Sequence, residues 1–161
     1  MHIEKAVSIS QIKQAVQTMP AKQLHELVLR LARFKKDNND MLTYLIFQAD
    51  DTDAYINEVN ETVTAWFLEM NKSNVYLIKK TVRKTIRLID KKIKFAALPK
   101  VTVEICMHWC QCFLANNFHK KQATVLDNLY ISQVKKMEKA YNLLHPDVQM
   151  EYSAQMQRFI K

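Results

Sequence analysis

The densest run of reactive side chains in this 161-residue sequence is Cys106-Met-His-Trp-Cys-Gln-Cys112. Thiolates and imidazoles are zinc ligands, and side chains four apart share one side of a helix, so His108 and Cys112 have workable spacing for two ligands of one metal. Further ligands would have to come from elsewhere, with His119 on the following turn as a candidate. No CxxC pair is present, and Cys106 and Cys110 share a face with Trp109 and Phe113; on such a face free cysteine behaves as a small hydrophobe. A nucleophilic thiol needs a neighbouring base and a lowered pKa, which a helix start often supplies. All three cysteines stand several residues inside the expected helix. They read as reduced core residues, with no metal or other cofactor expected. The Glu-x-x-His spacing of di-iron bundles does not occur, because Glu104 and His108 are four apart rather than three. Glu58 and Glu61, and His25 beside Glu26, read as solvated side chains.

Charge gives a second constellation. The net +8 is unevenly spread: residues 37–69 hold eight acids and no Lys or Arg, whereas residues 72–100 hold ten basic residues and one acid. At about 100° per residue, Lys80, Arg83, Lys84, Arg87, Lys91 and Lys94 fall on one side of a helix. They form a basic stripe roughly four turns long, beside the isoleucine face rather than within it. Such a stripe suits anions, above all the phosphates of a nucleic acid. The simpler expectation is a solvated face neutralised by the acidic helix that precedes it. Tyr76 stands before the stripe, and little aromatic surface is interleaved with it for base stacking. Sequence-reading motifs are missing, so any nucleic-acid binding would be backbone-directed and non-sequence-specific.

The elements that position these side chains follow from composition. About 7% glycine is usual, yet this chain has none, which removes hairpin turns, phosphate loops and nucleophile elbows that depend on it. Pro20, Pro99 and Pro146 each precede a run of helical apolar spacing and suit helix starts. Asparagine at the breaks substitutes for glycine at helix ends. Ser8 caps a first helix carrying Ile9, Ile12 and Val16. A second runs from Pro20 to about Lys36 with Leu24, Leu27, Val28, Leu31 and Phe34 inward, and 37–40 is a polar break. A short third carries Leu42, Leu45, Ile46 and Ala49. The fourth presents Tyr55, Ile56, Val59, Val63, Trp66, Phe67 and Met70; the fifth, capped by Ser73, presents Val75, Ile78, Val82, Ile86, Ile89 and Ile93. Pro99 opens the sixth. The seventh spans about 122–144, and Pro146 opens the last.

The fold class expected is all-α, with about eight antiparallel helices in a single domain spanning 1–161. Helices in sequence order with short connectors stack as an α-α superhelix, in the manner of HEAT and armadillo arrays, or close into a globular bundle; the superhelix is the simpler arrangement. The start of the chain has no apolar run of signal-peptide length, and no stretch approaches the ~20 apolar residues of a membrane span. A cytoplasmic protein without a membrane partner is therefore expected. The functional expectation is a non-enzymatic helical scaffold that binds another protein. The alternative is nucleic-acid binding through residues 73–95. Acidic side chains covering the basic stripe would favour the scaffold, and an open stripe would favour phosphate binding.

Overall fold

Several helices of this protein start where a side chain accepts from a free backbone N–H of the first turn. In a computed structural model, which describes residues 6–118 and 124–159, the described residues form eight α-helices and one π-helical turn, with no strand. The fold is all-α, as its spacing predicts. By contacts the chain divides into two compact units, Met1–Thr43 and Tyr44–Lys161.

The first unit holds α1 (Ile9–Gln17), α2 (Ala21–Phe34) and α3 (Lys36–Thr43). Ser8 caps α1 through a reciprocal pair: its hydroxyl accepts from the Gln11 N–H at 3.3 Å, and its own N–H donates to the Gln11 side chain at 2.9 Å. The polar run 37–40, expected to be a break, lies inside α3. The break falls at Lys35, whose backbone is extended. Asn38 explains the shift, because its side-chain amide donates to the Leu31 carbonyl at 2.9 Å while its backbone N–H bonds the Lys35 carbonyl. One residue thus closes α2 and opens α3. None of these three helices buries a residue. The α2 stripe expected to face inward is largely open, with Phe34 83% exposed; three short helices have too little surface to enclose it.

The second unit begins with a π-helical turn at Tyr44–Gln48 and continues through α4 (Thr52–Leu68), α5 (Val75–Ala96), α6 (Pro99–Ala115), α7 (Thr124–Tyr141) and α8 (Pro146–Met156). The wider π turn changes which residues point inward. Tyr44 is buried against Tyr55, ring centroids 4.5 Å apart, while Leu45 and Ile46, expected inward, are exposed. Asp51 caps α4 by accepting from the Ala54 N–H at 2.9 Å. Asn74, rather than Ser73, caps α5 by accepting from the Tyr76 N–H at 2.7 Å; Ser73 donates instead to the Asn71 side chain. Pro99 and Pro146 open α6 and α8 at the first turn, as expected.

At the centre stands α6, which packs against α4, α5 and α7. Val101, Val103, Ile105, Cys106, Trp109, Cys110 and Phe113 are all buried around it, the pattern of a helix enclosed on most sides. Its indole is tied to α5: Trp109 Nε1–H donates to Thr85 Oγ1 at 2.8 Å, and the Thr85 hydroxyl donates to the Val82 carbonyl at 2.8 Å. Without glycine, the left-handed backbone positions fall to Ala97 (φ 51°), at the end of α5, and Asn117 (φ 53°), just beyond α6. Among the described residues, no helix is long and apolar enough to cross a membrane.

Candidate functional site

The buried side of α5 is set by Ile78, Val82, Thr85 and Ile89, at helical spacings of three and four residues. That register fixes where its cations go. Lys80, Arg83, Lys84, Arg87 and Lys94 are exposed, and Lys91 is partly covered. Lys84 lies over the Trp66 ring of α4, its Nζ 4.0 Å from the centroid, and Lys91 lies 5.7 Å from the centre of the Phe95 ring. Trp66, expected to be inward, is only partly buried, with the Lys84 alkylammonium chain over its ring.

Two acids of the preceding segment have partners away from the stripe. Asp53 pairs with Lys100 at 2.7 Å, and Glu58 accepts from the Gln48 amide at 3.1 Å. The single acid of α5, Asp90, pairs with Lys136 of α7. Among the described residues, no carboxylate lies within ion-pair distance of Lys80, Arg83, Lys84 or Arg87. These cations are open to solvent.

Tyr76 does more than precede the stripe. It is 70% exposed and lines a shallow hollow of about 170 Å³ together with Lys79, Lys80, Arg83 and Arg87. The spacing from Tyr76 to Lys80, Arg83 and Arg87 places all four on one face. Sequence reading missed Lys79, although its offset of three from Tyr76 is a signal of the same kind. A phenol ring beside four cations can bind an anionic group and stack on a flat one.

The structure also brings together two residues of the cysteine and histidine run. His108 Nε2 lies 3.5 Å from Cys112 Sγ and 2.8 Å from Thr64 Oγ1 on α4. Burial holds the His108 imidazole below its usual range, with the Asn60 carbonyl opposing, and burial pushes the Cys112 thiol up. Both groups are therefore neutral at pH 7, a hydrogen-bonded cluster rather than a thiolate with its base. Burial pushes the Cys106 thiol up to about 12, and the Cys110 thiol also rises, from burial first and then from Cys106 beside it. His119 lies outside the described residues. Among the described residues, no three His, Cys, Asp or Glu side chains gather closely enough to hold a metal ion.

A larger hollow, about 520 Å³, opens where the starts of α4, α6 and α8 meet, lined by Asp50, Asp53, Lys100 and His145 among others. Lys100 there pairs with Asp53, and His145 Nδ1 lies 3.3 Å from Asp147 Oδ2. On α5, by contrast, Lys80, Arg83, Lys84 and Arg87 have no carboxylate partner among the described residues. Comparison with protein-family models, with curated proteins and with solved structures finds no match to this chain.

Proposed function

We propose that this protein is a non-catalytic binding module whose ligand is a polyanion, in the first place the phosphate backbone of a nucleic acid, held along α5. The observation that carries this reading is the uncovered row Lys80, Arg83, Lys84 and Arg87, exposed and without a carboxylate partner among the described residues. A cation that leaves water for a phosphate releases counterions, so affinity arises without base contacts and falls steeply with salt.

The test is titration of a labelled nucleic acid at several salt concentrations. The intact protein should bind at low salt and lose affinity with a slope of about −0.9 per phosphate neutralised on a duplex, or about −0.7 on a single strand. The combined Lys80→Gln, Arg83→Gln, Lys84→Gln and Arg87→Gln variant should lose binding while its circular dichroism stays unchanged and its stability falls by no more than the Lys84–Trp66 contact supplies, about 0.5–1 kcal/mol. Absence of a complex at low salt would sink the proposal.

A protein-binding scaffold is the second reading, favoured by the open apolar face of α2, where Leu27, Leu31 and Phe34 are exposed. An apolar helix face of this kind fits a groove on a partner protein. Under it, Leu31→Asp with Phe34→Asp would abolish partner binding and leave nucleic-acid affinity intact.

A further inference from the structure

We infer that the nucleic acid this surface takes is single-stranded, with an unpaired base stacked on Tyr76; this rests on the phosphate-binding reading of α5 and narrows it. Tyr76 stands on the cationic face itself, 70% exposed, in one hollow with Lys79, Lys80, Arg83 and Arg87. Its backbone N–H is held by the Asn74 cap at 2.7 Å, so the ring is presented from a fixed first turn rather than from a loose end. Duplex bases are stacked on one another, and their faces are closed to a side chain lying among the phosphates. A single strand leaves base faces free, and a ring beside phosphate-binding cations can engage both parts of one nucleotide.

The spacing of the row agrees with this. From Tyr76 the face continues through Lys80, Arg83 and Arg87, one cation per turn or so at a pitch of about 5.4 Å; Lys94 follows two turns further on, beyond Asp90. A stretched strand can follow such a line and meet a cation at successive nucleotides. The surface has sequence tolerance built in, because every base has a π face.

The experiment is fluorescence anisotropy of the full chain at low salt with three probes: labelled oligothymidylate, labelled oligouridylate, and a blunt duplex of equal length. The two single strands tell DNA from RNA, and tighter binding of either one than of the duplex supports the inference. The expected result is tighter binding to a single strand than to the duplex. Tyr76→Ala should weaken single-strand binding by roughly tenfold, the scale of one lost base stack, and leave duplex binding unchanged; Tyr76→Phe should bind like the parent. Melting curves of the variants check that the fold is intact. Equal or tighter duplex binding, or a Tyr76→Ala variant with unchanged single-strand affinity, overturns this inference while the phosphate-binding reading stands, provided the glutamine variant still loses binding. If no probe binds, both fall together.

Discussion

Trp109 is fully buried, and its indole N–H has Thr85 as its acceptor at 2.8 Å. An unpaired buried donor costs about 1–3 kcal/mol, so Thr85→Val, which keeps the shape and removes the oxygen, should lower the unfolding free energy by about that amount. Thr85→Ser should recover most of it, and urea titration followed by tryptophan fluorescence reads both. The position is only half legible in the sequence. Thr85 continues the inward series from Ile78 and Val82, but a spacing rule that counts apolar residues passes over it in favour of Ile86, which is only partly buried. The same rule places Cys106, Trp109, Cys110 and Phe113 correctly, since each is apolar and each is buried. In the candidate site, the cations follow directly from residue type and angle. The part of Tyr76 does not, because the sequence order that puts it ahead of the stripe conceals that a helix turn of three or four residues brings it alongside.

At the scale of helices, the end of α5 shows what a chain without glycine must do. Ala97 is left-handed, with φ 51°, and its N–H closes the helix on the Ile93 carbonyl at 2.9 Å. A left-handed L-residue other than glycine costs about 1–2 kcal/mol, part of which glycine would return through its own freedom in the unfolded chain. Ala97→Gly should therefore stabilise the protein by roughly 0.5–1 kcal/mol, and Ala97→Val should destabilise it, both read as shifts in the melting midpoint. Asparagine at helix ends is visible from the sequence, and Asn117 is left-handed as that reasoning requires. Nothing in local composition marks Ala97. Element boundaries fail in the same way: the polar 37–40 run looks like a loop, yet the hydrogen bond from Asn38 to Leu31 makes it the opening of a helix. Polarity is legible, whereas the partner of a side-chain amide is not.

Across the whole molecule, every described buried residue lies at or after Tyr44. The described helices before it hold no buried residue, and isolated helices of that length are marginal in water. A 44–161 fragment should accordingly unfold cooperatively with a midpoint close to that of the full chain, whereas a 1–43 fragment should show weak helicity. Circular dichroism of the two pieces decides it, and a 44–161 fragment that fails to fold would show that the core depends on the residues preceding it. The central helix that organises this core also gives the protein a chemical clock. Cys106 and Cys110 are sealed and protonated, while Cys112, two residues beyond Cys110, is only partly buried. A thiol reagent applied to the native protein will thus modify one sulfur first and must wait for the helix to come out of its packing before it reaches the other two. The lag between those events measures, without any engineered label, how often the molecule opens at its centre.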